Sequence, residues 1–302
     1  MGATPTKIQI TEQNLGRFKF LQQVLILSVE QYLNYLSTKH LKNHRYQLAI
    51  FAFDYIGHKI NLDGVYELND LDVFKKWMLE RGLLNGSMID VGANIGNHSL
   101  YFSKFFHKIY SFEPNPRTFA LLQINASLAQ NVVCYNFGLS DRAGLAELHT
   151  SPSNSGTARI VSGRVDNSQT IELRTLDSIA ELGECDVRLI KIDVEGHELS
   201  VLTGAKRLIQ KCRPIIIFEQ NVTEFRHGSS DSIELLKELG YRRFATVERY
   251  PNISISVPTF VRVPLTALVR LLFGYKSRVT PTVSFKPKFY SFVVAIPNHV
   301  GE

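Results

Sequence analysis

The sequence predicts an α/β protein: a doubly wound, mostly parallel sheet carried behind an N-terminal helical extension. Three observations predict it. From residue 88 to residue 218, short apolar runs alternate with stretches of helical periodicity. Several of the apolar runs end in a glycine or a carboxylate rather than in an ordinary hairpin turn. Before residue 55 the apolar residues recur at helical spacing, among them Leu21, Leu25, Val29, Tyr32 and Leu36. Strands that alternate with helices need right-handed crossovers, which places helices on both faces of one sheet.

In chain order, residues 8–55 read as helices, and 60–67 as a short strand pair turning at Asp63-Gly64. A helix follows over about 70–81, closed by Gly82. The division expected is a helical cap with its strand pair over 1–84 and the sheet domain over 85–302. Within the sheet domain, strands are expected at 88–91, 108–112, 132–137, 187–192 and 215–218, with late strands at 244–247 and 290–296. Helices are expected at 98–106, 116–128, 198–211 and 231–239. Asn115 is the N-cap of the second of these helices. Pro116 stands at its first position, where a missing N–H costs nothing. The Ser-, Asn- and Gly-rich stretch 150–169 reads as a mobile loop over the site, with a strand excursion ending at 171–174.

Composition narrows the partners. The 302 residues carry 34 Lys and Arg against 28 Asp and Glu, a net charge of +6. Nine of the basic residues lie from residue 241 onward, opposed there by Glu248 and Glu302. That segment is therefore +7 and residues 1–240 are −1, unlike a protein basic throughout for coating nucleic acid. Cys134, Cys185 and Cys212 form no C-x-x-C, so neither a disulfide framework nor a zinc knuckle is expected. A reducing, cytoplasmic setting fits. No apolar run reaches about 18 residues and no leader is read, so no spanning helix is expected. Residues 1–6 match the short N-myristoylation pattern, which is read as chance. The proline-rich basic stretch at about 250–288 reads as an insertion between the last two strands. Within it, residues 260–278 combine Leu265, Leu268, Leu272 and Phe273 with cations. A packing helix is the expected form, with peripheral contact to the inner membrane face as the alternative.

In doubly wound sheets the ligand sits beyond the carboxyl ends of the strands. The first strand ends in Asp90-Val-Gly92-Ala93-Asn94-Ile-Gly96-Asn97. A dinucleotide fingerprint starting at Gly92 would need glycines where Asn94 and Asn97 stand, so a pyrophosphate is poorly served. Asp90 suits a ligand with a positive group. The second strand ends in Glu113-Pro114-Asn115, and Glu113 falls 23 residues after Asp90, the spacing of a carboxylate that binds ribose hydroxyls. Ser140 and Asp141 follow the third strand, placed for an adenine edge. The fourth strand closes with Asp193, Glu195, His197 and Glu198, and the fifth with Glu219. Acids and a histidine at the end of an apolar strand are costly unless they face a site. His98, after the glycine turn, reads as a surface residue of the first helical turn, with contact to substrate as the alternative.

Together these segments resemble the FkbM family of S-adenosylmethionine-dependent methyltransferases. The segments that carry the resemblance are Ile89–Gly96, Phe112–Asn115, Leu139–Asp141, Arg174–Asp177 and Lys191–Glu198, followed by Leu202 and Gly204-Ala205. The resemblance implies a Rossmann-like, seven-stranded sheet of the class I methyltransferase type with a late antiparallel strand. It implies S-adenosylmethionine and O-methylation of a hydroxyl on a sugar, glycan, glycolipid or other small metabolite. The residues suit that cofactor. Gly92, Ala93 and Gly96 would line its methionine part, with Asp90 helping to hold the ammonium. Glu113, with Pro114 and Asn115, would hold the ribose; Ser140 and Asp141 would face adenine; Asn94, Asn97 and Asp193 would add contacts. Asp193, Glu195, His197 and Glu219 are the candidate catalytic residues, with His197 the simplest base. No metal is assigned, although Asp193, Glu195 and Glu219 offer the hard oxygen ligands that Mg²⁺ takes. The rival reading is a nucleic-acid- or membrane-binding protein, or a nucleic-acid methyltransferase, using the basic C-terminal region. The acidic strand ends oppose a nucleic-acid partner, and the Asn/Asp-Pro-Pro-Tyr motif of that enzyme class is absent.

Overall fold

A computed structural model describes residues 20–151, 154–161, 163, 165–184, 186–226, 228–251 and 275–300. The chain forms two compact units, residues 1–44 and 45–302. In the first, α1 (Phe20–Lys42) exposes apolar side chains such as Leu25, Leu27 and Tyr35. No helix among the described residues is long and apolar enough to cross a membrane.

The larger unit opens with α2 (Tyr55–Asp63) and α3 (Leu68–Leu79). The sheet domain proper follows as β1 (Ser87–Val91), α4 (Asn97–Phe102), β2 (Lys108–Phe112), α5 (Pro116–Ala126) and β3 (Val132–Tyr135). Next come β4 (Gly138–Leu139), β5 (Gly144–Ser151), β6 (Asn154–Val161) and β7 (Ser168–Arg174). Then come β8 (Val187–Ile192), α6 (Glu198–Thr203), α7 (Lys206–Cys212) and β9 (Ile215–Gln220). A small hairpin, β10 (Phe225–Arg226) and β11 (Ser229–Ser230), leads to α8 (Asp231–Glu238). The last strands are β12 (Arg243–Pro251), β13 (Tyr275–Thr282) and β14 (Tyr290–Ile296).

The main sheet runs β13-β12-β14-β9-β8-β1-β2-β3. The five strands from β9 to β3 are parallel, and β14 is antiparallel to β9. The seven predicted strands are thus present, with an eighth, β13, added beyond them. Both faces are buried, and alternate residues feed different cores. Ile89, Val91, Phe112, Ile190 and Phe218 pack with Val201, Leu208 and Leu236 of the helices on one side. Met88, Ile109, Leu189 and Ile217 pack with Phe74, Met78 and Phe102 on the other.

Several expectations change. The 60–67 strand pair is instead the end of α2 and the turn after it. Asp54 caps that helix by accepting the Ile56 and Gly57 N–H groups, and Ile56 and Ile60 bury one face against Ile95. The Asp63-Gly64 dipeptide is the helix stop: Gly64, left-handed, donates its N–H to the Ile60 carbonyl at 2.7 Å. The stretch read as a loop over 150–169 is largely strand. β5, β6 and β7 join β4 in a second sheet of order β4-β7-β5-β6. Leu148, Ile171 and Leu173 form its small core, so one apolar face suffices and the rest is polar.

The helix expected over 198–211 is two helices. A Cβ on Gly204 would lie 2.0 Å from the Ser140 carbonyl oxygen, so the chain passes there only without a side chain. α7 then restarts on Asp177, whose carboxylate accepts the Arg207 and Leu208 N–H groups at 2.9 Å each. In the C-terminal stretch, residues 252–274 lie outside the described residues, and with them most of the expected 260–278 helix. Its end, 275–278, is strand: β13 pairs antiparallel with β12. Pro281 is tolerated because β13 is an edge strand. The buried Asp70 of α3 anchors this edge, accepting from Arg249 Nε at 2.9 Å and Ser277 Oγ at 2.5 Å.

Candidate active site

Strand register assembles the site. Val91 pairs with Phe112 on one side and Ile192 on the other, and Ile192 pairs with Phe218. The next residue of each strand, in sheet order, is therefore Glu219, Asp193, Gly92 and Glu113. Four residues far apart in sequence come into line at the point where strand order reverses, between β8, β1 and β2. All four line one cleft.

At one end of this line, Gly92 turns with φ +71°. A Cβ there would lie 1.9 Å from the Asp193 carbonyl oxygen, so only glycine lets β1 and β8 diverge this closely. Glu113 is buried, and each of its oxygens accepts one backbone N–H: Oε1 from Asn115 at 2.8 Å and Oε2 from Asn94 at 3.0 Å. Burial pushes its pKa up to about 7, against the pull of those two N–H groups. A carboxylate oxygen accepts more than one hydrogen bond, so both retain room for a hydroxyl donor. Asn115 itself caps α5 as expected, accepting the Arg117 N–H at 3.0 Å. Beyond Glu113 the wall is apolar, with Pro114, Leu139, Leu148 and Ile171. β6 closes this side: the Ser155 N–H reaches Asp54 Oδ1 at 2.7 Å, and the Ser155 hydroxyl lies 3.4 Å from the Asn94 amide.

At the other end, carboxyl oxygens of Asp193, Glu195 and Glu219 lie within 4.8 Å of one another. Burial and the neighbouring Asp193, Glu195, Glu198 and Glu67 push Glu219 up to about 9. Burial and Asp193 push Glu195 to about 7, with Arg159 opposing. Glu195 has left-handed backbone at φ 52°, followed by Gly196 at φ 93°. The buried Glu198 holds this turn by accepting the Val194 and Gly196 N–H groups at 3.2 and 3.3 Å. Spacing of this kind admits a cation, and acidic groups also stand this close without one.

The remaining predicted residues are placed differently. Asp90 and Asp141 do not line the cleft. Asp90 is wholly buried; it accepts from Ser99 Oγ at 2.5 Å and lies 3.2 Å from Lys191 Nζ. Ser140 also lies off the cleft, hydrogen-bonded to His197 Nε2 at 2.9 Å and to Asp141 at 3.0 Å. Burial lowers the His197 pKa, with Asp141 opposing. Ala93, Asn94 and Asn97 line the cleft, but the Asn97 amide is committed to both backbone groups of Tyr66, at 2.9 and 3.1 Å.

The model of the Methyltransferase FkbM domain matches residues 90–243, half of the chain. The chain belongs to the FkbM methyltransferase family. Among curated proteins, this FkbM-family chain is 32% identical over 164 residues to the hexuronic acid methyltransferase AglP of Haloferax volcanii. That match covers 52% of this chain and 66% of the relative. It is 28% identical over 145 residues to the 2-O-methyltransferase NoeI of Sinorhizobium fredii, covering 42% and 60%. The chain thus spans less than two thirds of the length of either relative. A crystal structure of an FkbM methyltransferase from Methylobacillus flagellatus is 20% identical, covering 64% of this chain and 49% of that one, at a TM-score of 0.35, too distant to bear on the site.

The FkbM-family segment Lys191–Glu198 opens on Lys191, to which the sequence assigned no role; the structure places it in the cleft lining. Its ammonium donates to the Gly92 carbonyl at 3.0 Å and lies 3.2 Å from Asp90 and 3.3 Å from Asp193. Burial alone would lower its pKa, but Asp90 and Asp193 outweigh it and hold the proton on. The signal was a lysine inside the otherwise apolar run Leu189–Ile192, since a buried lysine must be paired. His98 is buried rather than on the surface, with Nε2 3.4 Å from Glu67, and it stacks on Tyr66. No motif marked Tyr55, Tyr66 or Glu67, which reach the cleft from α2, the turn after it and the start of α3.

Proposed function

We propose that the chain is an S-adenosylmethionine-dependent O-methyltransferase acting on a hydroxyl of a sugar or glycan. The observation that carries this is the line of Gly92, Glu113, Asp193 and Glu219 across four strand ends. It pairs a ribose-type carboxylate with an acidic, proton-binding end in one cleft. Family membership, a relative named for hexuronic acid methylation and another named a 2-O-methyltransferase support it. The Gly92 turn and the free acceptor capacity of Glu113 fit a cofactor with a ribose, and the apolar wall beyond fits its base. When bound, S-adenosylmethionine supplies an electrophilic methyl group.

The protein's own residues orient the acceptor and remove its proton. Holding the hydroxyl in line supplies about 7–11 kcal/mol of barrier reduction. Among the catalytic candidates, Glu219 is the base in this reading, because its crowded carboxyl is the most basic of the group. Glu195 and Asp193 keep it so by like charge. His197, bonded to Ser140, positions the turn. Lys191 fixes Asp193 and the Gly92 carbonyl in place.

Titration calorimetry with S-adenosylmethionine tests the cofactor assignment. Binding is expected in the wild type and is expected to weaken at least tenfold in Glu113→Ala; no binding, or binding unchanged in that variant, overturns it. Dialysis against EDTA is expected to leave turnover unchanged. A loss restored by Mg²⁺ would make Asp193, Glu195 and Glu219 ligands of a hard cation instead.

A further inference from the structure

The acceptor end of the cleft carries a carboxyl group, that of Glu67, beyond the three to which the methyl transfer gives a role. Four carboxyl groups line it, those of Glu67, Asp193, Glu195 and Glu219. They come from four separate places, the start of α3, the end of β8, the turn after it and the end of β9, and they are close enough to influence one another. Among the described lining residues, the one lysine or arginine is Lys191. Its ammonium is engaged by the Gly92 carbonyl, Asp90 and Asp193. Arg159 attracts Glu195 from an exposed position on β6, outside the lining.

Beside the carboxyl groups stands an aromatic wall. Tyr66 stacks on His98 with centroids 6.5 Å apart, Tyr55 meets Tyr66 edge-on at 6.3 Å, and Phe292 meets His98 at 6.3 Å. Flat apolar faces suit the C–H face of a saturated ring. Carboxyl oxygens accept hydrogen bonds whether or not the group holds a proton, so four such groups together suit a ligand rich in hydroxyl donors. An anionic group in the same place would meet carboxyl groups on several sides, and among the described lining residues no lysine or arginine is left to receive it, the arrangement by which a site excludes a wrong ligand.

We propose that this cleft takes an uncharged, polyhydroxylated ring as acceptor and rejects one that carries a carboxylate or phosphate beside the reacting hydroxyl. The proposal rests on the O-methyltransferase reading above. It also separates this chain from the hexuronic acid in the name of one relative.

The test uses the full chain, dialysed against EDTA, with methyl-labelled S-adenosylmethionine and three acceptors: the methyl glycosides of a hexose, of the matching hexuronic acid and of the hexose 6-phosphate. The hexose glycoside is expected to exceed both anions at least tenfold in kcat/KM. Glu67→Gln is expected to narrow that ratio, whatever it does to each rate alone. Equal or better use of either anion overturns the proposal, as does a ratio unmoved by Glu67→Gln. Turnover of none of the three with cofactor binding intact overturns the acceptor class and leaves the cofactor assignment standing. Absence of cofactor binding removes the reading on which the proposal rests.

Discussion

Glu219→Gln is expected to lower kcat by about 10²–10⁴-fold, the usual contribution of a positioned base, with cofactor affinity little changed. The glutamine keeps the shape of the side chain but cannot take a proton. Orientation of the acceptor survives, so turnover falls without vanishing. The wild type is expected to gain kcat as pH rises towards about 9, where Glu219 gives up its proton, and the variant to lack that limb. Initial rates on a sugar acceptor across the neutral and alkaline range check both. A variant with wild-type rates, or one that keeps the alkaline limb, ends the assignment. Stability runs the opposite way with pH. The folded Glu219 holds its proton to about 9, whereas an unfolded glutamate releases it near 4.5. Between those values the folded state binds more protons. This group's contribution is therefore complete below about 4.5 and is lost as pH rises through about 9. In the glutamine variant that slope is expected to flatten.

Lys191→Met is expected to destabilise the protein by about 3–5 kcal/mol, because it strands the fully buried Asp90 carboxylate without its cation. Against a typical total of about 5–15 kcal/mol that is a large share. The double variant Asp90→Asn with Lys191→Met is expected to recover part of the loss, since removing both charges costs less than removing one. Denaturant unfolding of the two variants and the wild type checks this. A single variant within about 1 kcal/mol of wild type would mean that Asp90 has other support.

Much of the architecture was legible because it rests on local rules. Apolar runs bounded by helices gave the central strands, and Asn115-Pro116 gave a cap that the structure reproduces. Glu113 and Asp193 were legible as cleft-lining residues because a charged residue at the end of a buried strand has few places to go. What was not legible depended on contacts distant in sequence. Asp63-Gly64 serves a hairpin or a helix stop equally well, and burial of Ile56 and Ile60 against Ile95 decides for the helix. The 150–169 stretch is polar because its sheet buries little, and so it resembled a loop. Ser140 was expected to face a ligand. Its hydroxyl goes to His197 and its carbonyl passes Gly204, a packing that no spacing along the chain announces. Lys191 was given no role from the sequence, because Asp90, one of the two acids that hold it, lies on another strand.

The alignment of Glu219, Asp193, Gly92 and Glu113 also limits how this scaffold can change by insertion or deletion. The parallel strands that carry it are five or six residues long, and each delivers its residue within one position of its end. Losing one codon within such a strand would draw that residue back by about 3.3 Å and turn its side chain to the opposite face. Substitution can therefore explore the cleft wall freely, while length variation is confined to the connections away from these ends.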